Sequence, residues 1–259
     1  MSDPEFKMLE TRNLTIRFGG HVAVNAVSCA FEAGTLTAIV GPNGAGKTTY
    51  FNLISGQLKA SAGSVLLHGR DISQLSAPQR TLAGLGRAFQ LTSLFPHLSV
   101  LENVRLALQS RRKLGLDVWN VWTHHRSLIE RAEDVLASVA LTARRYVHAA
   151  ELSHGDQRKL EVAMLIALDP DVYMFDEPTA GMSVDEVPVV LDLIRALKAR
   201  RDRTILLVEH KMDVVRQLAD RIIVLHNGTL MADGDPATVI ASPVVQQAYL
   251  GLAPVEDAA

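Results

Sequence analysis

The residues Gly41-Pro42-Asn43-Gly44-Ala45-Gly46-Lys47-Thr48 combine three glycines, a lysine and a hydroxyl within one short stretch. The spacing fits G-x-x-x-x-G-K-[ST]. Glycine carries no Cβ, so the backbone N–H groups of such a loop can approach an anion closely. A helix begun at Lys47 adds the partial positive charge of its N-terminus. This is chemistry for a polyphosphate. Lys47 is expected to reach β- and γ-phosphates, and the Thr48 hydroxyl to coordinate Mg²⁺. The whole stretch through Thr49 is the expected nucleotide cradle, with ATP and Mg²⁺ as its ligands. A glycine-rich turn with an accidental lysine is the bland alternative.

Asp176 and Glu177 follow the apolar run Val172 to Phe175. Two carboxylates at the end of a buried strand are costly unless they meet a cation or water. The C-terminal edge of a parallel sheet is also where ligands bind. Asp176 is therefore expected in the Mg²⁺ shell, and Glu177 as the group that polarises the attacking water. A solvated turn, which Pro178 also permits, is the competing reading. His210 closes the run Thr204 to Val208 after Glu209, where it could reach a γ-phosphate. Gln90 follows Arg87-Ala88-Phe89; its amide could ligate Mg²⁺ or the water. A further segment, Leu152-Ser153-His154-Gly155-Asp156-Gln157, precedes an expected helix to about Leu168. Ser153 with Asp156 three residues on reads as a capping box, with Asp156 turned back to cap. A capped helix start is also an anion site.

These residues need elements to carry them. Leu9 to Phe18 and Val22 to Phe31 read as strands around Gly19-Gly20. Thr35 to Val40 is a buried strand, and Lys47 to Ser55 a helix that Gly56 ends. Ser64 to Leu67, Val172 to Phe175 and Thr204 to Val208 read as strands, and Val187 to Ala199 as a helix. Arg221 to Leu225 and Thr229 to Ala232 form an expected hairpin around His226-Asn227-Gly228. From about Leu91 to Glu151 strand signals are few, and Leu128, Ala132, Val135, Leu136 and Val139 recur at helical spacing. The expected fold class is α/β: a P-loop NTPase core with a mostly parallel sheet, an N-terminal antiparallel β subdomain and an inserted α-helical subdomain. The expected division is a single domain over residues 8–259. Its α/β core comprises 8–90 and 160–259, and the helical insert 91–159.

Composition bounds the function class. The 259 residues are 48% hydrophobic and 21% charged, which suits compact domains with an ordinary core. A net charge of −2 gives no support for nucleic-acid binding. The lone cysteine, Cys29, excludes an internal disulfide and a multi-cysteine metal site. No run of about 18 apolar residues could span a bilayer. Ser2 to Lys7 resembles a cloning remnant, with a natural start at Met8.

The ordered set Gly41–Thr48, Gln90, Leu152–Gln157, Asp176–Glu177 and His210 resembles the ATP-binding cassette (ABC) ATPases, over essentially Met8 to Leu252. The resemblance implies a head-to-tail dimer with two ATP molecules between subunits. Ser153 and Gly155 would then bind the γ-phosphate held by a partner, and Phe18 would stack on adenine. The signature departs from Leu-Ser-Gly-Gly-Gln at His154 and Asp156. Ala180-Gly181-Met182-Ser183 stands where Ser-Ala-Leu-Asp is common, which leaves open whether Ser183 couples the two ATP sites.

Phe18 to Val24, Gly86 to Gln90 with Leu94 to Leu98, and Ala248 to Gly251 resemble the ATPase subunits of branched-chain amino-acid importers. Relatives for urea, amides, aromatic acids or lipopolysaccharide are the alternatives. That resemblance implies a second cassette, identical or paralogous, a separate transmembrane permease, and indirectly a periplasmic solute-binding protein. It also implies a peripheral place on the cytoplasmic face of the inner membrane. Leu94, Phe95 and Pro96 are expected as a permease contact or as local packing. Arg111-Arg112-Lys113 with Trp119 and Trp122 reads as a solvated face or a membrane contact, and His124-His125 lacks metal-ligand partners. Non-transport ABC ATPases usually carry coiled coils, zinc cysteines or tandem cassettes. A phosphate-loop kinase or GTPase has no role for the Ser153 segment.

Overall fold

A computed structural model describes residues 7–88, 94–111 and 126–250, with the side chains of 248–250 left aside. The N-terminal alternation folds as β1 (Lys7–Phe18) and β2 (His21–Glu32), joined through Gly19-Gly20. Then come β3 (Leu36–Val40), α1 (Lys47–Ser55), β4 (Ala62–Leu67), β5 (Arg70–Asp71), α2 (Ala77–Leu82) and β6 (Leu85–Ala88). Next are α3 (Val100–Arg111), α4 (Arg126–Ser138), two 3-10 turns, α5 (His154–Leu168), β7 (Val172–Asp176) and α6 (Val187–Ala199). The chain closes with β8 (Thr204–Val208), α7 (Met212–Leu218), β9 (Arg221–His226), β10 (Thr229–Gly234), α8 (Pro236–Ala241) and α9 (Pro243–Leu250). This is the α/β class expected, with an antiparallel sheet, mostly parallel strands and helices.

The chain divides into two compact units, residues 1–80 with 198–259 and residues 81–197. The first unit holds the antiparallel sheet β2-β1-β4-β5. It also holds β3 between β8 and β9, parallel to both, with β10 antiparallel on β9. Every residue of β3 and β8 is buried, as expected of central strands read from unbroken apolar runs. Helix α1 buries Tyr50, Phe51 and Ile54 completely. It ends at Gly56, whose φ of 80° lets its N–H reach back to the Asn52 and Leu53 carbonyls.

The second unit holds the parallel pair β6–β7 and the helices α3, α4 and α5. Leu128, Ala132, Leu136 and Val139 are fully buried along α4 and its end, so the helical period marked the buried stripe. Ser99 and Glu102 form a reciprocal capping box at the start of α3: the Ser99 N–H donates to the Glu102 carboxylate and the Glu102 N–H to the Ser99 hydroxyl. Buried Asn103 clamps the preceding turn, accepting from the Phe95 N–H and donating to the Phe95, Leu98 and Ser99 carbonyls.

Candidate functional site

Ile39 of β3 pairs with Val208 of β8, and Val40 with Val224 of β9. The loops that begin at Gly41 and Glu209 therefore leave the same C-terminal edge, where open α/β sheets bind ligands. The loop after β3 is pinned from outside. The Gly228 N–H donates to the Ala45 carbonyl at 3.0 Å, and the Gly228 carbonyl accepts from the Asn25 N–H at 2.8 Å. Gly46 has φ 95°, and a Cβ there would lie 2.6 Å from the Ala23 carbonyl oxygen. Gly41 is equally tight, since a Cβ there would strike the Leu225 carbonyl. These two glycines are required by close backbone approach.

No side chain caps the start of α1. Its first N–H groups thus face the loop as anion donors. The Lys47 ammonium donates to the Gly41 carbonyl at 2.7 Å and the Pro42 carbonyl at 2.9 Å, which holds the cation over the ring of the loop. Lys47 is buried, whereas Asn43, Gly44 and Thr48 are exposed. Phe18 ends β1 half exposed, with its ring available for stacking. Exposed His210 is held by its neighbour: the buried Glu209 carboxylate accepts the His210 N–H at 2.8 Å and the Lys211 N–H at 3.2 Å. Glu209 was not singled out from the sequence; its signal was a carboxylate continuing a buried run.

In the second unit, Asp176 ends β7 and Glu177 follows with φ 50°. A left-handed glutamate is strained backbone, which tends to persist where the surroundings impose it. The Arg87 guanidinium donates to the Asp176 carboxylate at 2.7 Å. Burial pulls Arg87 below its usual pKa, against the pull of Asp176. Ser153 caps α5, its hydroxyl accepting the Asp156 N–H at 3.2 Å. The expected return bond from Asp156 is replaced: its carboxylate accepts from the Lys159 ammonium at 3.0 Å instead. An Asp side chain is a methylene shorter than the Glu of a usual capping box, and a lysine one turn on offers a charged partner.

Gly155 is buried, and a Cβ there would run into the Glu186 carboxylate. Glu186 in turn accepts from the Ser183 N–H and hydroxyl, which hold it below the usual carboxylate range, with Lys159 assisting. Ser183 thus has a local role, donating its N–H and hydroxyl to the Glu186 carboxylate.

Leu94 is half-buried, while Phe95 and Pro96 are exposed. Arg111 pairs with Asp169 at 2.6 Å. Gln90, Leu91, Arg112, Lys113, Trp119, Trp122, His124 and His125 lie outside the described residues. Among the described residues no group of three or more His, Cys, Asp or Glu could hold a metal. The Thr48 hydroxyl and the Asp176 carboxylate are hard oxygen donors, the kind Mg²⁺ takes when phosphates supply the rest. No helix among the described residues is long and apolar enough to cross a membrane.

Comparison with known proteins places these features in a wider set. The sequence profile of the family described as ABC transporter matches residues 24–180. The chain is 36% identical over 256 residues to the high-affinity branched-chain amino acid transport ATP-binding protein LivG of Salmonella typhimurium, covering 97% of this chain and 99% of that one. It superposes on the ADP conformation of an ATP-binding cassette of an ABC transporter with a TM-score of 0.80 and 29% identity, covering 95% and 99% of the two chains. A dimeric cassette in a post-hydrolysis state, bound to ADP and Pi, gives a TM-score of 0.76 at 25% identity, covering 88% and 99%.

Proposed function

The chain belongs to the ABC transporter family, and on that premise we propose that it is the ATP-hydrolysing subunit of an importer for branched-chain amino acids. The observation that carries the reading is the loop 41–48, with its uncapped helix start, its two Cβ-excluding glycines and the Lys47 ammonium above the ring. Likeness to LivG over nearly the whole of both chains supports the importer class.

In this reading the loop N–H groups and Lys47 hold the β- and γ-phosphates, with Thr49 completing the cradle and Phe18 stacking on adenine. Thr48, Asp176 and Gln90 would hold Mg²⁺. When bound, the metal would neutralise charge that develops on the phosphate oxygens. Glu177 polarises the attacking water, and His210 orients the γ-phosphate from the edge on which the loop opens. Ser153 and Gly155 serve the nucleotide of a second cassette, identical or paralogous. Residues 8–259 form one cassette, with residues 91–159 as its helical insert. The pair sits on the cytoplasmic face of a membrane, against a separate permease that a solute-binding protein feeds, and hydrolysis reopens it.

The test is Glu177→Gln. ATP binding stays within about twofold of wild type, and hydrolysis falls by about a hundredfold or more, the usual range for a lost general base. Near-normal turnover would remove Glu177 from the role. Uptake by the reconstituted complex decides the solute: leucine, isoleucine and valine are expected to drive ATP-dependent transport, ahead of urea, amides and aromatic acids.

A further inference from the structure

Arg87 has no role in the proposed function, yet its guanidinium contacts the expected metal carboxylate directly. Its Nη2 lies 2.7 Å from Asp176 Oδ2, and the two side chains are only 6% and 9% exposed. The register explains the reach. β6 and β7 run parallel with Arg87 opposite Met174, and alternate residues share a face. Arg87, Met174 and Asp176 therefore point the same way, and the long guanidinium extends one pair forward to the strand end. The bond to Arg87 uses Oδ2 alone; Oδ1 has no hydrogen bond or ion pair among the described residues.

A strap between two strands is the plain alternative. It explains little, because the β6–β7 ladder runs from Leu85–Val172 to Ala88–Phe175 without help from side chains. A buried ion pair is also a weak source of net stability. We propose that Arg87 is a positioning residue for the metal site: it fixes the Asp176 carboxylate through Oδ2 and leaves Oδ1 for Mg²⁺. Carboxylates that ligate metals are held by such partners, and losing one typically costs about 10–100-fold in metal affinity. The proposal rests on the reading of Asp176 as a Mg²⁺ ligand.

Mn²⁺ serves as the probe. Its dissociation constant is measured by electron paramagnetic resonance on the full chain saturated with a non-hydrolysable ATP analogue. Affinity for the analogue without divalent ions is measured by calorimetry. Arg87→Met is expected to weaken Mn²⁺ by about tenfold or more while metal-free affinity stays within about twofold. Arg87→Lys keeps a cation at the site without the planar fork, so it recovers part of the loss. It also serves if Arg87→Met fails to fold. Unchanged Mn²⁺ affinity in both variants would overturn the proposal, as would an equal loss of metal-free nucleotide binding. Asp176→Asn separates the two failures. If it too leaves Mn²⁺ affinity unchanged, the metal role of Asp176 falls; if it alone weakens Mn²⁺, only the role of Arg87 falls.

Discussion

Gly44 and Gly46 both adopt left-handed backbone, at φ 78° and 95°, but they meet different surroundings. Nothing lies within 4 Å of a Cβ at Gly44, whereas one at Gly46 meets the Ala23 carbonyl at 2.6 Å. Gly44→Ala should therefore cost about 1–2 kcal/mol, the backbone term alone. Gly46→Ala should cost clearly more and displace the loop from β2, so that nucleotide affinity falls as well. Thermal melts with and without ATP check both, and equal melting temperatures would contradict the close-approach argument. At this scale the sequence was most informative about the loop, because a glycine spacing encodes backbone geometry directly. It was least informative about Glu209, Arg87 and Glu186. Each of these acts by holding another group: the backbone at His210, the Asp176 carboxylate, the N–H and hydroxyl of Ser183. Such contacts depend on where strands and helix starts come to lie, which no local pattern states. Asp156 shows the limit from the other side. Three-residue spacing allowed both a capping bond and a pair with Lys159, and geometry chose the second.

Helix α5 begins on Ser153, whose hydroxyl performs a structural task whatever else it does. The two tasks can be separated. Asp ranks with Ser as an N-cap, so Ser153→Asp should leave stability within about 0.5 kcal/mol. Its added charge would repel a phosphate, so ATP-dependent pairing should vanish. Ser153→Ala should instead lose about 1 kcal/mol from the missing cap. Denaturation curves beside light scattering distinguish the two, and a Ser153→Asp variant that still pairs on ATP would exclude Ser153 from the phosphate site. Most elements were legible because their period or their caps are local: α1 and α6 begin and end at the expected residues. The hairpin β9–β10 followed from Asn227-Gly228, whose φ values of 46° and 74° suit a tight two-residue turn. Helices α7, α8 and α9 were not read from the sequence. They are short, and α7 and α8 pack on β3 and β9 through scattered residues such as Val215 and Val239. For α8 a signal was present: Asp235 caps it and Pro236 opens it.

A single chain carries both the loop 41–48 and the Ser153 segment, and in the proposed function each acts on a different nucleotide. In that reading the binding energy of ATP becomes pairing energy, and pairing would drive the proposed permease. The likeness to a dimeric cassette bound to ADP and Pi supports that view. The most direct test mixes two defective forms in a Glu177→Gln background, one carrying Lys47→Ala and the other Ser153→Arg. Neither form alone can build an intact site, since each homodimer repeats its own defect. A mixed pair, however, joins one intact loop to one intact Ser153 segment. Light scattering with ATP and Mg²⁺ should therefore find dimers in the mixture and monomers in each component. Monomers throughout, with both proteins folded and the Ser153→Arg form still binding ATP, would contradict the head-to-tail pairing on which the account stands.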